Sequence, residues 1–179
     1  SPNKLIEQIK FLEDNPEYML VGTGIILTDE YRNEIMRYLL PSSDGAIRAM
    51  MLRKNCFVHS SVMYRRKVSL NCGGYDDSKS TQYVEDYDLW LKLGMSGKLY
   101  NLPIHGVTYM MRGASISSTH KISQFKNDIL LIKKYRNFYP CYWRGLLQGY
   151  VRLVVYGFFK YIPLLAVKGK LLKYYKQKW

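Results

Sequence analysis

Cysteine, histidine and acid are all scarce in this chain of 179 residues, and each shortage removes a class of protein. The three cysteines, Cys56, Cys72 and Cys141, are odd in number and nowhere form a C-x-x-C pair. A disulfide framework and a zinc knuckle are therefore not expected, and a reducing compartment fits. The three histidines, His59, His105 and His120, have no metal-ligand spacing. No apolar run is long enough to span a bilayer; residues 153–167 come nearest, but Lys160 and Pro163 interrupt them. No secretory signal pattern is present, and the opening Ser1-Pro2-Asn3 reads as the middle of a pattern, so a fragment of a longer polypeptide is expected. Acids number 14 against 27 Lys and Arg, and the deficit is local. From Lys121 to the end there are 13 Lys and Arg and one acid, Asp128, whereas residues 1–120 are nearly balanced. That distribution excludes a wholly basic nucleic-acid binder and favours a local contact with an anionic surface.

What is abundant is apolar and aromatic: 47% hydrophobic residues, with 17 tyrosines, enough for one domain with a core. The stretch 83–93, Tyr-Val-Glu-Asp-Tyr-Asp-Leu-Trp-Leu-Lys-Leu, sets three carboxylates among large apolar residues. Val84, Tyr87 and Leu91 recur at helical spacing, and Lys92 follows Asp88 by four. A largely buried helix is expected, with Glu85 and Asp86 in its first turn and Gly94 and Gly97 as its stop. Acids in a first turn are ordinary helix-start chemistry; they are also how a helix holds a carboxylate at the mouth of a cleft.

Around it the pattern predicts a helix from Ser1-Pro2 to Asn15-Pro16 with an inward stripe of Leu5, Ile9 and Leu12 beside Ile6 and Phe11. A buried strand over 18–27 follows, with Gly22 and Gly24 allowing close backbone approach, then a turn and a returning strand over 34–40. Residues 41–44 break the chain and cap a helix over 46–52, and 57–65 read as a strand entering the core. Residues 71–76 form a loop needing unusual backbone angles. Short strands over 98–103 and 105–111, a loop over 112–119 and helices from Lys121 complete the chain. The tail beyond Pro140 suits either a helix lying in a membrane interface or one packed on the core.

Seven motifs occur in order: Gln8-x-x-Phe11-Leu12-x-x-Asn15-Pro16; Val21-Gly22-Thr23; Asn55-x-Phe57-x-His59-Ser60-Ser61-Val62-Met63-x-Arg65; Gly73-Gly74-Tyr75-Asp76; Glu85-Asp86-Tyr87-Asp88-Leu89-Trp90-Leu91; Gly97-Lys98-x-x-Asn101-Leu102-Pro103; and Ser115-Ile116-Ser117. The series resembles the C-terminal half of the family 2 glycosyltransferases, inverting enzymes that use nucleotide-sugars. The match runs from about Leu5 to Ser118. The resemblance implies an α/β chain with an incomplete Rossmann-like nucleotide-diphospho-sugar transferase fold, a mixed sheet with flanking helices. Residues 1–120 would form the C-terminal half of the catalytic domain, and 121–179 a basic, apolar helical tail.

The resemblance also implies that Glu85 and Asp86 supply the catalytic base, Asp86 being the proton acceptor. His59, Gly74, Tyr75, Trp90 and Arg112 are the candidate substrate contacts. Each has a plainer alternative: a satisfied strand histidine, a loop that merely places the acidic helix, a core tryptophan, a surface arginine. Two departures stand out. The family's donor half, with its Asp-x-Asp metal loop, would precede this chain, so a Mg or Mn ion is expected in the complete enzyme with its ligands mostly elsewhere. Asp86-x-Asp88 does not replace that loop, because on a helix the two side chains point about 200° apart. Arg112 falls where relatives carry a His; arginine does not ligate a cation but pairs with a diphosphate. The implied partners are a nucleotide-sugar donor and a glycan or lipid-linked acceptor; the basic, apolar tail adds an anionic membrane surface as an expected partner, and nucleic acid is not expected. The implied place is the cytoplasmic face of the plasma membrane, in surface polysaccharide assembly. The alternative is a non-catalytic module that binds membrane or nucleic acid through the tail. A glycoside hydrolase is disfavoured, since adjacent Glu85 and Asp86 would have to flank one bond from opposite sides.

Overall fold

The computed structural model describes residues 2–111 and 120–161, the last three of these as backbone only. The elements, in order, are α1 (Lys4–Asp14), β1 (Tyr18–Thr28), β2 (Glu34–Tyr38), α2 (Asp44–Met51), a 3₁₀ turn (His59–Ser61), β3 (Met63–Tyr64), α3 (Arg66–Asn71), α4 (Glu85–Ser96), β4 (Lys98–Met110), α5 (Lys121–Lys134) and α6 (Tyr142–Tyr161). The result is a mixed four-stranded sheet flanked by helices, consistent with a nucleotide-sugar-transferase-like fold.

β1 is the centre of the sheet. β4 runs parallel to it along its whole length, from Tyr18 opposite Lys98 to Thr28 opposite Met110. Its other edge is shared by two antiparallel partners, β3 against Leu20 and Val21 and β2 against 25–28. Gly22 lets Asn101 and Phe57 cross its face, for a Cβ there would lie 2.1 Å from Asn101 Oδ1. The core gathers on α4: Tyr87, Leu89, Trp90, Leu91 and Leu93 pack with Leu20, Ile47, Leu52, Leu99, Leu131 and Ile132.

Polar residues of the motifs act as ties in this frame. Gln8, fully buried, donates from Nε2 to the carbonyls of Val21 (3.0 Å) and Ser61 (2.8 Å), joining α1 to β1 and the 3₁₀ turn. Arg65 takes the carbonyls of Leu12 and Tyr18, which holds the end of α1 against the start of β1. Asn101 donates to Pro41 O (2.8 Å) and Cys56 O (3.1 Å). Each tie gives a backbone carbonyl a side-chain donor from a distant part of the chain.

Several expectations are corrected. The strand expected over 57–65 is a 3₁₀ turn followed by a two-residue strand, because Ser61 bonds back to Val58 through both its amide and its Oγ (2.8 Å each). Local bonding of that kind competes with a strand ladder. The two short strands around Pro103 are one strand, β4; the register slips opposite Thr23–Ile25 and absorbs a residue that has no amide to donate. Of the predicted stripe α1 turns only Leu12 inward, together with Gln8, and leaves Leu5, Ile6 and Ile9 exposed. Its first residue is Lys4, after Asn3, and Ser1 lies outside the described residues. α3 was not foreseen; its end is closed by Gly73 (φ 89°) and Gly74 (φ 61°), where the loop reading had asked for unusual angles.

Gly94 is not a stop either. α4 continues to Ser96, and Gly94 sits inside it where a Cβ would lie 2.2 Å from Tyr139 Oη and 2.9 Å from Leu99. Ala favours an exposed helix over Gly by about 1 kcal/mol. Here the sign reverses: Gly94→Ala lowers the urea midpoint by the equivalent of about 1–3 kcal/mol, the range for overpacking a core. An unchanged or raised midpoint would mean that Tyr139 does not pack there.

Candidate active site

The acidic helix start is built as expected and aimed by its neighbours. Asp88 is fully buried; its carboxylate lies 2.8 Å from Lys92 Nζ, and its Oδ1 also accepts from Lys134 Nζ and Tyr135 Oη, both at 2.8 Å. With Asp88 turned inward to α5, Asp86, two residues earlier, faces the other way. The segment ahead of α4 is held as well. Tyr83 adopts a left-handed conformation (φ 70°), and Asn127 of α5 donates to the carbonyls of Lys79 (3.1 Å) and Gln82 (2.9 Å). On its far side Lys92 Nζ donates to Gly74 O (3.0 Å), so the diglycine loop is fastened to α4.

Asp86 is half-buried and Glu85 beside it is exposed. Asp86 Oδ1 accepts from the amide of Tyr87 (2.7 Å), and Oδ2 lies 3.5 Å from Asn55 Nδ2. Burial raises its carboxyl above the ordinary range, against the lowering effects of the Tyr87 amide and of His59. Asn55 is fixed in turn, since its Oδ1 accepts from the amide of Phe57 (3.0 Å). Tyr75 Oη and His59 Nε2 are 3.2 Å apart. Burial and the nearby Tyr64 push the Tyr75 phenol up to about 12, so it keeps its proton and donates whenever His59 Nε2 is bare. His59 also lines an open groove of about 640 Å³ with Ile25, Leu27, Tyr38, Phe57, Val58, Ser60 and Tyr109. Ile25, Leu27 and Tyr109 lie in the C-terminal halves of the parallel strands β1 and β4, the end at which open α/β sheets hold ligands. Asp86 is not a wall of that groove; His59 is the residue common to both.

Glu85, Asp86, His59 and Tyr75 thus belong to one cluster, and Gly74 fixes the loop that carries Tyr75. Trp90 does not join them as a sugar platform. It is fully buried, at 6.4 Å from Phe57, 6.0 Å from His59 and 5.7 Å from Tyr64 between ring centres, and acts as the floor under His59. Arg112 and Ser115-Ile116-Ser117 lie outside the described residues. Asn55 was overlooked as a site residue, although it opens one of the motifs; its contact to residue 86 crosses thirty-one positions and leaves no local pattern. Among the described residues no three His, Cys, Asp or Glu side chains gather closely enough to hold a metal ion. The described residues do not by themselves supply a divalent-cation site.

Asp86 and Asp88 make opposite predictions. Raised in the folded state, the Asp86 carboxyl favours folding when protonated. That contribution is full below the unfolded value of about 3.9 and is lost as pH rises through the folded one. Asp86→Asn mimics the protonated form, so its melting temperature exceeds wild type at pH 7 and the gap closes at acid pH. Asp88→Asn leaves two ammonium groups beside a neutral amide and costs about 3 kcal/mol at pH 7, the low end for a broken buried pair because Lys134 keeps water contact. Melting curves of both variants across pH 4–8 check this; a destabilised Asp86→Asn would assign Asp86 to the scaffold.

Comparison with known proteins gives relatives of one kind. No protein-family model matches the chain. It is 33% identical over 139 residues to an uncharacterized glycosyltransferase of Haemophilus influenzae, a match covering 75% of this chain and 50% of that protein. It is 34% identical over 103 residues to the amylovoran biosynthesis glycosyltransferase AmsE of Erwinia amylovora, covering 57% and 37%. It is 33% identical over 96 residues to the O-antigen biosynthesis glycosyltransferase WbnJ of Escherichia coli, covering 51% and 34%. The chain therefore spans about half the length of the first relative and about a third of the other two.

Proposed function

We propose that this chain carries the acceptor-side machinery of an inverting, family 2 glycosyltransferase of glycan biosynthesis, with Asp86 as its general base. The observation that carries the reading is the Asp86 carboxylate, half-buried, raised in pKa and faced by Asn55 and His59 at the start of a helix whose next acid is locked away from it. The similarity to proteins named as glycosyltransferases supports the same reading.

In this mechanism an acceptor hydroxyl sits against Asp86. Its oxygen attacks the anomeric carbon of a nucleotide-sugar as its proton passes to the carboxylate. The bond from the anomeric carbon to the diphosphate oxygen breaks on the opposite face, and the nucleoside diphosphate leaves with the electron pair. A base raised toward neutrality takes that proton with less mismatch than an ordinary aspartate. Asn55 holds the carboxylate's outer oxygen, and the paired Tyr75 and His59 bond sugar hydroxyls at the mouth. Glu85, exposed beside Asp86, biases the site toward a neutral hydroxyl rather than an anionic group. Arg112 pairs with the donor's diphosphate. Transfer needs the donor-binding residues of the complete enzyme, so the polypeptide of 179 residues alone turns over little or nothing.

In the complete enzyme, Asp86→Asn lowers kcat by roughly 10²–10⁴ and leaves nucleotide-sugar affinity within a factor of about two. In wild type, kcat falls as pH drops through the Asp86 value, so the acid limb lies above the ordinary aspartate range of about 4. Steady-state rates across pH 4–9 with calorimetric donor binding test both; retained transfer by Asp86→Asn removes the base from this residue. Tyr75→Phe deletes the bond to His59 and raises the acceptor KM several-fold with a smaller change in kcat, the mark of a group that binds rather than reacts.

A further inference from the structure

α6 is apolar on two sides, and only one of them is covered. On the inner side Gly145 lies against the backbone of Leu52, where a Cβ would sit 2.2 Å from the carbonyl oxygen, and Gly149 lies against Ile129. Tyr142 and Leu146 pack on the core. These contacts fix the rotation of the helix. On the outer side Trp143 (76% exposed), Leu147 (66%), Val151 (47%) and Val154 (66%) stand at i, i+4, i+8 and i+11, within an arc of about 80° at 100° per residue. Scattered surface leucines need no explanation, but a continuous stripe three turns long on a fixed helix does.

The margins of the stripe are cationic. Exposed Arg144 lies along one edge. On the other, Lys133 of α5 donates to Tyr150 Oη (3.2 Å) and lies over its ring, with exposed Lys126 two turns earlier on the same α5 face. α6 contains no acid, and the one acid of α5, Asp128, is desolvated and drawn toward Arg152 and Lys121. Among the described residues no helix is long and apolar enough to cross a membrane. An apolar stripe with a tryptophan in its first turn, long cationic side chains at its edges and no acid on its own helix matches a helix lying in the plane of an acidic lipid surface. A protein partner would have to bring both an apolar strip and a surplus of acids, and in this chain the acids of residues 1–120 are matched by as many Lys and Arg, so a second copy brings no surplus.

We propose that the outer face of α6, through Trp143, Leu147, Val151 and Val154 with Arg144, Lys126 and Lys133 at its margins, docks on the anionic headgroup layer of a lipid bilayer. The apolar side chains sink about 5–10 Å, to the boundary of the acyl region, and the lysines remain among the phosphates. Docking is independent of the transfer chemistry and stands or falls without it.

The test is flotation of the 179-residue chain with vesicles of phosphatidylcholine alone and of phosphatidylcholine with 30% phosphatidylglycerol. Wild type floats with the acidic vesicles, floats at least about tenfold less with the neutral ones, and is released as salt approaches 1 M. Trp143→Glu with Leu147→Glu abolishes flotation with the melting temperature within about 2 °C of wild type, since both side chains project from the fold. A milder Leu147→Ser with Val154→Ser pair reduces partition by roughly a hundredfold, as loss of two buried apolar side chains requires. Undiminished flotation of either double variant would assign lipid binding to the basic residues beyond α6 and overturn the proposal. So would equal binding to neutral vesicles, or a wild-type dimer in sedimentation that the glutamates convert to monomer without altering flotation. No sugar transfer is read, so failure here leaves the role of Asp86 untouched.

Discussion

The structure depends on one buried anion. Asp88 has no contact with water, and two lysines and a tyrosine from both α4 and α5 converge on it. A carboxylate in such a place is costly unless paired and hydrogen-bonded, and only one rotation of α4 about its axis achieves this. That rotation sends the apolar residues Leu89, Trp90, Leu91 and Leu93 into the core and turns Asp86 outward to Asn55 and His59. The electrostatic demand of one acid therefore sets the direction of another. Asp88 serves no substrate, yet the position of the reactive carboxylate follows from it.

The remaining site residues arrive on segments that polar side chains tie to the sheet. Gln8 and Ser61 fix the turn that presents His59, while Gly73 and Gly74 set the bend that carries Tyr75 back over it. Asn101 reaches from β4 to Cys56 O, the residue after Asn55. These are single bonds of ordinary strength, each net about 1 kcal/mol. Their effect lies in position: each fastens a loop or turn to a distant part of the chain. α5 adds the fourth support through Asn127 and the carbonyls ahead of α4.

Much of this was legible in the sequence wherever one physical demand dominated. β1 was readable because an apolar run with two glycines has few other uses, and α4 because its apolar spacing and its Asp88–Lys92 pair agree with one another. The capping serine of α2 declared itself in the same way; Ser43 Oγ accepts from the amide of Ala46. The sequence misled where two demands compete. Leu5, Ile6 and Ile9 outweigh Gln8 on any hydrophobic scale, but two backbone carbonyls needed the amide of Gln8, so the apolar side faces out. His59-Ser60-Ser61 sits among β-formers, and local hydroxyl bonding bent it into a turn. Asn55 stayed hidden for a different reason, since nothing near it in the chain indicates which residue it meets.

The long parallel pairing of β1 with β4 has a consequence for how the chain reaches this state. β2 and β3 lie within a few dozen residues of β1 and engage one edge early, but the other edge waits for a partner some eighty positions away, Lys98 beside Tyr18. At typical rates of synthesis that interval lasts roughly 4 to 16 s. Throughout it a run of Met, Leu, Val and Ile keeps a bare row of amides and carbonyls. Such an edge recruits strands from neighbouring nascent chains, and closure across so long a loop is slow. The central strand of this sheet is thus among the last to be closed, whereas one whose partners are all local closes early.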